Sequence, residues 1–179
     1  MLDLLSEEQI MSEYVLGDII RYNNRCRLKD ESVAEHTCFV SIFCLKILAK
    51  LGLDHETERK VLILAALHDA AESRTSDIPH DVKANYPEMR KILDKVEKDY
   101  YKEEWSDYYR EVYAPSDLCH SILKLADSYS VYQYCLNEMA LGNISNDIKM
   151  IKSESYKRIL AYTQDINDLM IKSFFEEEN

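Results

Sequence analysis

The stretch Val61-Leu62-Ile63-Leu64-Ala65-Ala66-Leu67-His68-Asp69-Ala70-Ala71-Glu72 decides how this chain is read. Its apolar run has helical character and ends on an imidazole beside a carboxylate. Packing does not ask for that pair, and burying such groups is costly unless hydrogen bonds or a metal compensate them. On a helix over 55–72, Val61, Ala65, His68 and Glu72 align along one face, with Asp69 reaching the same centre from its flank. Taken alone, the pair reads equally well as a buried ion pair or as two metal ligands.

Working outward, the pattern is helical almost throughout. Ser6 and Gln9 are spaced as a capping box before a helix over about 6–20, and 21–31 is a polar loop with four basic side chains. Ser32 and Glu35 form a second capping box ahead of a helix running to Leu51, with Gly52 as its terminator. After 55–72 come the turn Thr75-Ser76-Asp77-Ile78-Pro79 and a short helical piece at 79–84. A helix starting near Pro87 and reaching about 106 follows, with Ile92, Leu93, Val96 and Tyr100 on its period. Residues 107–116 read as irregular, 117–140 as helix and 146–175 as helix. The expectation is one all-α domain over 1–179, a compact bundle with short connections. The density of Tyr100, Tyr101, Tyr108, Tyr109 and Tyr113 suits packing of the helices over 87–106 and 117–140, or a subunit contact.

Composition narrows the function. With 179 residues, 46% hydrophobic and 31% charged, the chain can build a core without disulfide staples. Its five cysteines are odd in number and form no CxxC, and Cys38 and Cys44 read as small core residues. A formal charge of −11 argues against binding duplex nucleic acid. No apolar run approaches a membrane span, and Met1 to Val15 does not read as a signal peptide, so cytoplasmic residence is expected.

Two further helices present groups that could join His68 and Asp69. On the helix after Ser32, positions 36, 40, 43, 47 and 51 share a face, which places His36 inward. On 117–140, Leu123, Asp127, Val131 and Tyr134 share a face, leaving Asp127 among apolar neighbours. An unpaired carboxylate there would tend to neutralise, and no inward Lys or Arg is obvious, although Lys124 is near in sequence. Two imidazoles and two carboxylates suit a borderline divalent ion such as Mn, Co, Fe, Ni or Zn. A structural zinc site would more usually recruit thiolates.

The order His36, His68-Asp69, Asp127 resembles the HD-domain metal-dependent phosphohydrolases. Residues 21–36 (RYNNRCRLKDESVAEH), 64–72 (LAALHDAAE), 75–83 (TSDIPHDVK) and 123–132 (LKLADSYSVY) look like the 5′-deoxynucleotidase branch. That resemblance implies an HD helical bundle, a homodimer and a deoxynucleotide substrate. It also implies removal of the 5′-phosphate from deoxyribonucleoside monophosphates, with His36, His68, Asp69 and Asp127 as metal ligands.

On chemistry alone Glu72 is either a proton-transfer group or a helix cap, and the resemblance makes it the general acid or base, beside catalytic Asp69. Arg21 suits phosphate by its guanidinium geometry. The family has Arg-Trp where this chain reads Arg21-Tyr22, a change that bears on which nucleotide enters. Asp77 either caps the short helix or, as the resemblance implies, lies at the pocket. Thr75 is a further candidate for a phosphate or sugar contact, and Glu35 reads as a cap. The competing readings are a deoxynucleoside triphosphate triphosphohydrolase, with Arg25, Arg27, Lys29 or Lys83 at its rim, and an inactive nucleotide-binding HD module.

Overall fold

The computed structural model describes residues 12–176. Eight α-helices follow one another: α1 (Val33–Leu51), α2 (His55–Leu67), α3 (Glu72–Thr75), α4 (His80–Asn85), α5 (Pro87–Glu104), α6 (Tyr109–Tyr113), α7 (Asp117–Ala140) and α8 (Asn146–Glu176). Among the described residues there is no strand, only an isolated bridge between Ile20 and Ser32. None of the described helices is long and apolar enough to cross a membrane.

Local chemistry sets most of these boundaries. Ser32 Oγ accepts from Glu35 N while Glu35 Oε2 accepts from Ser32 N, so both free donors at the start of α1 are satisfied. Gly52 closes α1 at φ 63°, a left-handed conformation that glycine adopts without a Cβ clash. Asp54 caps α2 and Ser116 caps α7. Pro87 opens α5, where its missing N–H costs nothing.

The main core lies between α1, α2, α7 and α8. Val40, Cys44 and Leu48 meet Val61, Leu64 and Ala65, with Ile122, Leu123, Ala126 and Ile166 closing the cluster. Full burial of each larger aliphatic contributes about 1.5–3 kcal/mol. A smaller cluster places Tyr100 and Tyr101 of α5 against Leu67, Ala70 and Ala71. The two buried tyrosines therefore pack on the end of α2 and the turn after it, not against α7. Tyr109 and Tyr113 stack on each other, while Tyr108 and Tyr113 remain exposed.

Several expectations need correction. Residues 12–17 form a 3-10 helix, not part of an α-helix to 20, and Ser6 and Gln9 lie outside the described residues. The buried stripe of α1 runs Val33, His36, Val40, Cys44, Leu48, so Cys38 is exposed. Phe43, Ile47 and Leu51 flank that stripe, only partly buried. Residues 107–116 contain the short helix α6 after a 3-10 turn at Ser106–Tyr108.

The most consequential difference is that α2 stops at Leu67. From there Ala70 N bonds Leu67 O, Glu72 N bonds Asp69 O, and Ser73 N bonds Ala70 O, all across three residues. The chain tightens because Tyr101 of α5 donates its hydroxyl to Leu67 O, a carbonyl at the end of the helix. His68 and Asp69 thus sit in a tight turn, held from outside by a tyrosine.

Candidate metal centre and active site

His36 projects from the buried stripe of α1, and His68 and Asp69 from the turn after α2. The rings of His36 and His68 meet edge to face, with centroids 5.6 Å apart. Asp69 Oδ2 lies 3.2 Å from His68 Nε2 and 3.7 Å from His36 Nε2. The three donor atoms of His36, His68 and Asp69 all fall within 4.8 Å of one another, a separation at which one ion can be shared.

Each imidazole is oriented through its other nitrogen. His68 Nδ1–H donates to Ala65 O at 2.8 Å, which leaves Nε2 as the lone-pair nitrogen. Ser130 Oγ of α7 lies 3.2 Å from His36 Nδ1. Both Nε2 atoms are buried without a hydrogen bond of acceptable geometry. Two orphaned nitrogens aimed at one carboxylate make a poor hydrogen-bonded core but a good divalent-cation site, so the residues present fit a metal.

Asp127 comes from α7, as expected, with Oδ1 3.2 Å from His36 Nε2. Its Oδ2 is 3.9 Å from Lys124 Nζ, so the neighbouring lysine does approach it. Asp127 therefore flanks the triad on the His36 side.

The charges of these groups are interlocked. Burial, reinforced by the Arg21 charge, pushes His36 down to about 4, against the pull of Asp127 and Asp69, so it is neutral and able to ligate. Burial opposes ionisation of Asp69, but His68, His36 and Arg21 outweigh it and hold the carboxyl well below its usual range. Burial likewise works against protonated His68, yet Asp69 and Asp127 raise it. The field of Asp69 and Asp127 thus favours positive charge at this point, the place a metal ion would take.

Glu72 opens α3. Burial first, then the charges of Asp69 and Asp77, push its carboxyl up to about 9, against Lys83 and Arg21. It lines a cavity of about 90 Å³ together with His68, Asp69, Thr75, Lys83, Leu93 and Glu97. Thr75 is thus on the cavity wall. Asp77 is not, although its charge reaches Glu72, and it does not cap α4, whose start has no side-chain cap.

Arg21 is near the metal donors but committed. Its Nη1 donates to Glu31 Oε2 at 2.9 Å, and its charge acts on Asp69 and Asp127. Tyr22 has a positive φ of 56° and stacks on Tyr134 of α7, with centroids 4.7 Å apart. Its hydroxyl is buried without a partner.

The loop bearing Arg21 and Tyr22 is clamped by residues that sequence reasoning missed. Glu138 of α7 is fully buried and accepts from Leu28 N at 2.8 Å, Lys29 N at 2.7 Å and Asn143 Nδ2 at 2.7 Å. Asn143 Nδ2 also reaches Cys26 O, and Tyr134 donates to Lys29 O. Ser130 was missed as well. Both lay within reach of the helical period, since Ser130 follows Asp127 by three residues and Glu138 follows Tyr134 by four.

The model of a family described as 5′-deoxynucleotidase YfbR-like matches residues 11–177. The 5′-deoxynucleotidase YfbR of Shigella flexneri serotype 5b (strain 8401) is 31% identical over 161 residues, covering 82% of this chain and 79% of that protein. The protein of the same name from Escherichia coli O1:K1 / APEC is 32% identical over the same extent. Among solved structures, the cyanophage S-2L HD phosphohydrolase DatZ, bound to dA and one catalytic Zn²⁺ ion, superposes with a TM-score of 0.72. The match is at 15% identity and covers 96% of this chain and 99% of that one. An HD-domain phosphohydrolase from Listeria innocua gives 0.71 at 23% identity, covering 93% and 85%. With its helical bundle and its His36, His68, Asp69 triad, this chain belongs to the YfbR-like family of HD-domain metal-dependent phosphohydrolases.

Proposed function

We propose that the chain hydrolyses the 5′-phosphate ester of deoxyribonucleoside monophosphates. The observation that carries this reading is the pair of buried, unpartnered Nε2 atoms converging on Asp69 beside a small cavity. Relatives at 31–32% identity that are named 5′-deoxynucleotidases support the choice of substrate.

In this reading His36, His68, Asp69 and Asp127 hold a divalent ion of the Mn, Co, Zn, Fe or Ni type. When bound, such an ion supplies Lewis acidity and eases the ionisation of water. The protein's own groups do the rest. Ala65 O and Ser130 Oγ keep both imidazoles turned toward the ion. Asp69 remains an anion, both as ligand and as the catalytic carboxylate that positions the attacking water. Glu72, whose carboxyl holds its proton to unusually high pH, moves a proton at its own oxygen. Thr75 lies on the cavity wall, where its hydroxyl contacts the phosphate or sugar. Asp77 takes a sugar hydroxyl and Arg21 adds positive potential. Tyr22 backs the site through its stack on Tyr134. The reading includes a homodimer, which light scattering during size-exclusion chromatography checks.

Turnover of a panel of deoxynucleotides with Mn, Co or Zn, after exhaustive chelation, tests the proposal. Orthophosphate should appear from monophosphates, disappear with chelator and return with metal. Intact triphosphate released from deoxynucleoside triphosphates would favour the triphosphohydrolase instead. Nucleotide affinity with neither bound metal nor turnover would favour an inactive binding module. Full activity after metal removal would overturn all the metal-dependent readings.

A further inference from the structure

The cavity beside the triad is also lined by residues outside the metal and catalytic set. Its lining includes Lys83 of α4 and Leu93 and Glu97 of α5, alongside His68, Asp69 and Glu72. At about 90 Å³ it has room for about three waters, the scale of one tetrahedral oxyanion.

The charge on this wall is unevenly distributed. Of the other cations nearby, Arg21 is spent on Glu31 and Lys124 lies 3.9 Å from Asp127. Lys83 is half-buried and has no ion pair within 4.0 Å among the described residues. Its charge acts on Glu72 and on Glu97, and the Asp69 charge acts on both as well, so the four groups share one field. Lys83 lines the cavity with the carboxylates of Asp69 and Glu97, Glu72 holds its proton and adds no charge, and Lys124 of α7 acts on Glu97 from outside the lining. That balance tolerates one phosphate on a bound cation and penalises the added negative charge of a second and third.

We propose that Lys83 and Glu97 set how many phosphates the site accepts, Lys83 by holding a single phosphate and Glu97 by repelling longer chains. The assignment deepens the monophosphate reading and rests on it. Leu93 is the apolar part of the same wall and holds no further polar partner for a longer chain.

The test is calorimetric titration of the Mn-loaded protein with orthophosphate and with tripolyphosphate. The buffer holds excess free Mn²⁺, so that chelation by the longer anion is equal for every variant. Wild type should bind orthophosphate more tightly. Lys83→Met should weaken orthophosphate roughly tenfold, and Lys83→Arg should recover most of the loss. Glu97→Gln should tighten tripolyphosphate by roughly tenfold relative to orthophosphate, while Glu97→Asp should keep the wild-type preference. Metal content and helical signal, measured for every variant, report a site lost by misfolding, and the Arg and Asp variants then carry the decision. An unchanged preference in Glu97→Gln, or wild-type orthophosphate binding in Lys83→Met, overturns the proposal. If these shifts occur but no monophosphate is hydrolysed, the substrate reading fails and the charge assignment stands. If monophosphates are hydrolysed without the shifts, the reverse holds.

Discussion

The two sides of the site are held by opposite means. On the metal side, neutral groups do the holding: a backbone carbonyl for His68 and a serine hydroxyl for His36. On the loop side, buried carboxylates do it, Glu31 gripping Arg21 and Glu138 gripping the amides of Leu28 and Lys29. The metal side therefore depends on electrostatics at its centre, and the loop side on hydrogen bonds at its edge. Damage to one should leave the other largely intact.

Asp69→Asn attacks the metal side at its centre and should have the largest effect. Metal-dependent turnover should fall by at least about a thousandfold with little change in helical circular dichroism. On the loop side, Glu138→Ala leaves two backbone donors without their acceptor and Asn143 Nδ2 with Cys26 O alone. Stability should drop by about 2–4 kcal/mol in urea denaturation, with metal affinity nearly unchanged. A Glu138→Ala protein that loses its metal would erase the distinction between the two sides.

Ser130→Ala is subtler, because it frees His36 Nδ1 without touching a donor atom. Metal affinity should weaken roughly tenfold in a competition titration while denaturation shifts little. The smallest effect is a slope with pH. In the metal-free protein Glu72 keeps its proton up to about 9, whereas an unfolded glutamate loses it near its ordinary value of 4.5. The folded state thus binds more protons across that window, and stability falls as pH rises through it. Glu72→Gln should remove this contribution, gaining on wild type between pH 5 and pH 8 by less than about 1.4 kcal/mol per pH unit. Added metal, by offsetting the Asp69 charge, should shrink the difference.

What the sequence made legible was local. The Ser32–Glu35 box, the left-handed Gly52 and the first-turn Pro87 all follow from short-range chemistry, and all appear in the fold. The triad was legible because a histidine on a buried stripe and a His-Asp pair after an apolar run carry their own cost. What escaped was set by distant partners. The end of α2 depends on Tyr101, thirty-four residues onward, so the apolar period could not reveal that the helix stops before His68. The same stop undoes the simple alignment of His68 with Glu72 on one helical face, yet both still reach the cavity. Ser130 and Glu138 were on the right helical period but looked like ordinary polar positions until their partners on α1 and the loop were known.

Glu138 has a consequence for motion as well as for stability. Residues 28 and 29 lie in an exposed polar loop, where backbone amides ordinarily trade their hydrogens with water quickly. These two point at a carboxylate that solvent does not reach, on a helix about 110 residues further along. They should exchange on the timescale of the bundle core, as a slow pair within a fast segment. The stretch that carries Arg21 and Tyr22 then opens only when α7 does, and its timing belongs to the whole fold.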